Sequence, residues 1–299
     1  MTLSPASFRI IATLVRRETA MAYYDEAKGY LIEARLMPLA AAAGHGTDVD
    51  AYISRLGADP TEQRKAIDAL TINETSWFRD QSPYQAFTQY MLPTLLEARA
   101  ATRHLRIWSA ACSSGQEAYS IAMQLDQHLP AGWTAEILAT DVSEAMVERV
   151  KRGRYSQVEM NRGMPASSLV KYFTRQGSEW EVVPKLRAMV RARTFNLASP
   201  MLGMGQFDLI LLRNVLIYFD PAMKYDILRR IHPHLAPDGY LLLGSTETTL
   251  DMPAPVSSLW RSETLGRVQA HRSSSAPGAA PARPLATPSS PTLASPIGA

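Results

Sequence analysis

The sequence predicts an α/β protein in two parts: an all-helical N-terminal domain, then a larger doubly wound domain carrying a small antiparallel β-subdomain. Three observations predict it. Between Phe8 and Leu70 apolar side chains recur at three- and four-residue steps. Beyond Pro83, apolar runs of four to eight residues alternate with helical patterns of about ten, the rhythm of a parallel sheet with crossover helices. Between Tyr172 and Leu197 that rhythm is broken by aromatic and β-branched residues punctuated by Gly177 and Pro184, which reads as a hairpin element.

Composition narrows the class. The 299 residues suffice for one large or two modest domains, and the 46% apolar and 20% charged fractions are those of a soluble globular protein. A net charge of +3 does not point to nucleic acid; a basic face for an acidic protein partner fits equally well. A single cysteine, Cys112, excludes an intramolecular disulfide and suits a reducing compartment. The N-terminal stretch has no signal-peptide pattern, and no apolar run approaches the roughly 20 residues of a membrane helix. A cytoplasmic protein without membrane insertion is expected.

The elements follow in order. Residues 1–72 form the helical domain, with Phe8, Ile11, Leu14 and Val15, then Tyr30, Leu31, Ala34 and Leu36, then Tyr52, Ile53 and Leu56 as its apolar recurrences. Asp59 and Pro60 read as an N-cap and first-turn proline opening its last helix. Residues 73–83, "NETSWFRDQSP", form a linker, and residues 84–270 the α/β domain, with residues 172–197 as the inserted β-subdomain. From His271 to Ala299 the chain is Ala-, Pro- and Ser-rich, without acidic or aromatic residues, and is expected to be a disordered tail.

The candidate site lies at the first βα unit, "LRIWSAACSSGQEAYSIAM", where a strand runs through a small-residue loop, Ala110 to Gly115, into a helix. Doubly wound sheets bind nucleosides there, and Asp141 at the end of the next strand, "LATD", can accept from ribose hydroxyls. Glu117 in the first helical turn would repel a pyrophosphate but suits an ammonium or sulfonium. The charge pattern therefore favours S-adenosylmethionine over a dinucleotide. Glu117 can equally be an acid complementing the helix dipole, and Asp141 a cap for the following helix. In "FDLILLRNVLIYF" the charge of Arg213 beside Asn214 places both at a strand end, facing a ligand or capping the next helix. Cys112 reads as a small buried residue, and the 6 histidines lack metal-ligand spacing, so no metal is expected.

In this order, "NETSWFRD", "IWSAACSSGQEAYSIAM", "ATDVS", "FNL" and "FDLILLRNVLIYF" resemble the CheR family of chemoreceptor glutamate methyltransferases, over Phe8 to Val268. The resemblance implies a Rossmann-like class I methyltransferase domain behind the helical domain. It implies cofactor contacts from Asn73, Thr75, Arg79, Glu117, Asp141, Asn196, Leu197, Arg213 and Asn214, with Tyr218 near the acceptor and Arg79 and Tyr218 as the catalytic pair. The linker would be a lid over S-adenosylmethionine whose aromatics exclude water. Gln116 and Ala118 depart from the family's usual acid and proline, and Trp77 from its commoner Phe. The implied partner is the cytoplasmic helical domain of methyl-accepting chemoreceptors, met by Arg16, Arg17, Lys28 and Arg35. Some relatives grip a receptor C-terminal tether with a longer Gly-rich hairpin; "FTRQGSEWEV" is short, so independence from such a tether is expected. The alternative is a regulatory protein that binds the cofactor without turnover.

Overall fold

A computed structural model describes residues 3–22, 26–249 and 252–274. The N-terminal helices are α1 (Pro5–Thr19), α2 (Gly29–Ala42), α3 (Val49–Arg55) and α4 (Pro60–Leu70). Ser4 caps α1 by accepting from the Ser7 N–H, and Asp59 caps α4 by accepting from Thr61 and Glu62, with Pro60 in the first turn. The apolar face of α2 is Ile32, Leu36 and Ala40; Tyr30 and Leu31, counted with the core from spacing, are 58% and 45% exposed. A four-residue step from Ile32 aligns one stripe, and Tyr30 and Leu31 fall outside it.

The linker leads into α5 (Ser82–Ala86), which continues through a π-helical turn, Phe87–Met91, into α6 (Leu92–Ala98). The widened turn precedes Pro93, which has no N–H to donate to the helix. Then come β1 (His104–Ala110), α7 (Gln116–His128), β2 (Thr134–Asp141), α8 (Glu144–Arg152), β3 (Arg154–Ser156), α9 (Gln157–Met160), α10 (Ala166–Tyr172), β4 (Phe173–Gln176), β5 (Glu179–Val182), α11 (Pro184–Arg187), β6 (Val190–Thr194), β7 (Phe207–Leu212), α12 (Pro221–Ile231), β8 (Leu235–Leu243), β9 (Trp260–Leu265) and β10 (Val268–Ser273).

The main sheet has seven strands in the order β6-β2-β1-β7-β8-β10-β9. Pairing is parallel from β6 to β8 and antiparallel where β10 joins β8 and β9. The chain leaves β1 toward β2 and later returns to β7 on its other side, so the switch point of the sheet opens beyond the carboxyl ends of β1 and β7. Alternation along the strands divides the core. Leu105, Ile107, Leu209 and Leu211 face α5, α7 and the small sheet. Trp108, Ala110, Ile210 and Leu212 face the opposite side, where they join the buried side chains of α1 to α4 in one contiguous cluster.

Two boundaries differ from expectation. The small antiparallel sheet is β3-β5-β4, so it recruits Arg154–Ser156 from before the 172–197 insert and loses Val190–Thr194, which pairs with β2 at the edge of the main sheet. A strand that alternates Val190, Ala192 and Thr194 with Arg191 and Arg193 reads like either, and only its partner decides. His271, Arg272 and Ser273, assigned to the tail, complete β10 and are buried. The Ala/Pro/Ser composition masked three residues that pair with β9 across a hairpin, His271 also pairing with β8. The rest of the expected tail, 275–299, lies outside the described residues.

Candidate active site

The loop after β1 ends on Gly115, at φ 94°, and is otherwise held by its neighbours. Ala111 and Ser113 adopt positive φ, 58° and 50°. The Cys112 N–H donates to the Thr140 carbonyl at 2.8 Å, and the Ser113 N–H donates to Asp141 Oδ2 at 2.8 Å. Asp141 also accepts from the Ser143 N–H at 3.0 Å, so one carboxylate joins the ends of β1 and β2. Burial pushes its carboxyl above the ordinary carboxylate range, and the N–H bonds from Ser143 and Ser113 oppose that. Ser113 Oγ donates to the Asn73 carbonyl at 2.7 Å, clipping the linker to the loop.

Glu117 sits in the first turn of α7. It accepts from Ser109 Oγ of β1 at 2.7 Å and from Arg213 Nη1, beyond β7, at 3.1 Å. The other terminal nitrogen of Arg213 reaches Asp80 Oδ2 at 2.7 Å and the Arg79 carbonyl at 3.0 Å. The Arg213 side chain is 2% exposed, and the surrounding acids, Glu117 foremost, outweigh desolvation and hold its proton more firmly than in water. Two carboxylates share one guanidinium, which leaves this corner net negative.

One partly open cavity collects these groups. All the expected positions line it: Asn73, Thr75 and Arg79 from the linker, Glu117, Asp141, Asn196, Leu197, Arg213, Asn214 and Tyr218. They are not equivalent. Asn196 donates to the Glu18 carbonyl at 2.6 Å and accepts from the Ala198 N–H at 2.8 Å, so its amide ties α1 to the wall. Arg79 Nη1 donates to the Glu74 carbonyl at 3.0 Å, and the residue lines the cavity. Tyr218, on a 3₁₀ turn Leu216–Tyr218, is half-buried; burial raises its phenol above the ordinary value, against the field of Arg79. Thr19 and Met21 of the helical domain also line the cavity, which spacing within the α/β domain could not reveal.

The linker aromatics turn away from the cavity. Trp77 and Phe78 are buried in the core on the α7 side of the sheet. Trp77 meets Tyr155 and Phe173 edge-on at 4.8 and 5.3 Å, and Phe78 meets Tyr84 at 5.2 Å. They anchor the segment and do not cover a ligand. The backbone then makes a sharp reversal, with positive φ at Phe78, Asp80 and Gln81. Cys112 is buried, and burial pushes its thiol well up, out of the range of a ready nucleophile.

The donor set fits a cationic ligand without phosphate. Glu74, Glu117 and Asp141 face the cavity against Arg79 and Arg213, and Ile72, Val142, Phe195 and Leu197 supply apolar wall for a purine. The first turn of α7, where a pyrophosphate would approach, carries the acid Glu117 instead.

Residues 73–261 match the family described as CheR methyltransferase, SAM binding domain. The chain belongs to the CheR family. Chemotaxis protein methyltransferase 1 of Pseudomonas aeruginosa is 41% identical over 235 residues, which cover 76% of this chain and 84% of that protein. Chemotaxis protein methyltransferase Cher2 of Pseudomonas putida is 40% identical over 238 residues, 76% of this chain and 85% of its own. The Vibrio parahaemolyticus chemotaxis protein methyltransferase is 36% identical, covering 83% and 91%. The CheR match opens at Asn73, the residue whose carbonyl Ser113 holds, so the linker belongs with the S-adenosylmethionine-binding domain. S-adenosylmethionine is the cofactor of this CheR methyltransferase. No helix among the described residues is long and apolar enough to cross a membrane.

Proposed function

We propose that this CheR methyltransferase esterifies glutamate side chains of methyl-accepting chemoreceptors in the cytoplasm, as part of sensory adaptation. The observation that carries the reading is the sharing of one cavity by Arg79 and Tyr218, a guanidinium and a phenol, with the acids Glu117 and Asp141. The names of the relatives, all chemotaxis protein methyltransferases, support it.

The bound cofactor supplies an electrophilic methyl group on a sulfonium. Glu117 would pair with the ammonium end and Asp141 would accept from the ribose, while Asn73, Thr75, Asn196, Leu197, Arg213 and Asn214 would shape the remaining wall. The acceptor glutamate is already ionised at neutral pH, so no general base is needed. Arg79 orients that carboxylate and Tyr218 donates a hydrogen bond beside it. A cation and an anion neutralise each other as the reaction proceeds, so the chain gains rate by alignment and by excluding water.

Arg16, Arg17, Lys28 and Arg35 are the proposed basic face for the receptor helices. Lys28 is exposed, whereas Arg16 pairs with Asp220, Arg17 with Glu18, and Arg35 donates to the Leu70 carbonyl, so receptor binding through them exchanges existing contacts. The β4–β5 hairpin turns at Gly177 and Ser178 and offers little edge, which supports independence from a C-terminal tether. The decisive assay is transfer of a labelled methyl group to purified receptor cytoplasmic domains. Base-labile label is expected. Cofactor binding without transfer would instead mark a regulatory protein.

A further inference from the structure

Glu247 follows β8 in "LLLGSTETTL" and does not line the donor cavity. Its carboxylate accepts three backbone N–H groups: Oε2 takes Gly244 at 2.7 Å and Asn214 at 2.8 Å, and Oε1 takes Leu216 at 2.7 Å. The Glu247 N–H in turn donates to the Gly244 carbonyl at 2.9 Å. The carboxylate thus joins the turn after β8 to the turn after β7. Asn214 stands there at φ 57°, a left-handed conformation disfavoured for a residue with a side chain, and Leu216 starts the 3₁₀ turn that ends in Tyr218. A Cβ on Gly244 would lie 2.6 Å from Glu247 Oε2 and 2.8 Å from the Asn214 nitrogen, so the carboxylate occupies space that only glycine leaves open.

We propose that Glu247 is a positioning residue for the methyl transfer: it holds Asn214 in its left-handed turn and thereby places Tyr218 against the donor cavity. This rests on the function proposed above. Charge-assisted bonds to three N–H donors are strong enough to impose one turn conformation. Glu247 also contributes, behind burial and Glu74, to raising the Tyr218 phenol. Glutamine cannot replace it. It has one acceptor oxygen, and its NH₂ group faces an N–H donor in either orientation.

The test uses the full chain, with Glu247→Gln and, as a second route to the same displacement, Gly244→Ala, which keeps the carboxylate but crowds it. The expected result is a fall in kcat of about 10- to 100-fold, larger than any rise in KM for the receptor domain. Tyr218→Phe should cost far less in the Glu247→Gln background than in the wild type, because the hydroxyl is already misplaced. In ¹⁵N-labelled protein the Gly244, Asn214 and Leu216 amide resonances should shift together and exchange faster, while the remaining spectrum stays folded. Additive effects of Glu247→Gln and Tyr218→Phe, or three unmoved amides, overturn the inference. Absence of methyl transfer by the wild type overturns the proposed function instead, and the amide signals together with the calorimetric affinity for S-adenosylmethionine still report whether Glu247 holds the turn.

Discussion

Arg213 and Glu117 face each other at 3.1 Å across the switch point of the sheet, joining the end of β7 to the first turn of α7. Arg213 also holds Asp80 at 2.7 Å, so the linker is tied to the same guanidinium. Glu117 is therefore both a cavity wall and a counter-ion, and two consequences separate cleanly.

Glu117→Gln keeps the shape and removes the charge. Cofactor affinity should fall by about tenfold or more, the loss of one charge-assisted hydrogen bond. Stability should fall by about 1–2 kcal/mol, less than the 3–5 kcal/mol of a buried pair broken outright, because Asp80 remains on Arg213. Calorimetry and urea unfolding measure the two, and unchanged affinity would remove Glu117 from the cofactor site.

Arg79→Ala and Tyr218→Phe should each lower kcat by about 10- to 100-fold; Tyr218→Phe should leave cofactor affinity within about threefold, whereas Arg79→Ala, at an expected cofactor contact, should weaken it as well. Single-turnover kinetics with the receptor domain separate the steps. A loss confined to cofactor binding would reassign them.

Trp77 anchors the linker, and Gly163 makes room for it: a Cβ at Gly163 would lie 2.3 Å from the Trp77 carbonyl oxygen, at a φ of +95°. Trp77→Ala should cost about 3–5 kcal/mol, the usual loss for emptying a buried aromatic site. Gly163→Ala should cost about 1–3 kcal/mol in strain and also weaken cofactor binding, because the displaced segment carries Asn73 and Thr75. Thermal melts with and without cofactor give both numbers.

His271 in β10 is buried, and burial depresses its imidazole from 6.5 to about 4. The unfolded chain binds a proton below pH 6.5 that the folded chain refuses until about pH 4. Stability is therefore fully present above 6.5 and falls by about 3 kcal/mol as pH drops through that window. Carboxylates held below their ordinary range, such as Asp238 beside Arg99, lose their contribution only at lower pH. Urea unfolding of His271→Gln between pH 7 and 4.5 should show a flatter profile than the wild type; parallel profiles would contradict the assignment.

Much of the fold and site was legible because it is local. The Asp59–Pro60 start of α4, the strand–small loop–helix around Cys112, and the placement of Arg213 and Asn214 at a strand end all follow from neighbouring residues. The misread pieces depend on ladder partners outside their own segments. Val190–Thr194 became a main-sheet edge because β2 offered a ladder, and His271–Ser273 became strand because β9 and β8 bracket them.

By itself the sequence determined the order of elements, the acids and small residues of a cofactor loop, and the family whose motifs it carries. Tertiary structure alone decided what those side chains meet. Arg213 is spent on Glu117 and Asp80, Asn196 on Glu18, and Trp77 on the core beneath the linker rather than on a ligand. Glu247, silent in the sequence, became the acceptor for three N–H groups. The physical reason is that periodicity and propensity act over a few residues. A buried charge or an open N–H must instead find its partner wherever the folded chain places one, at any separation in sequence.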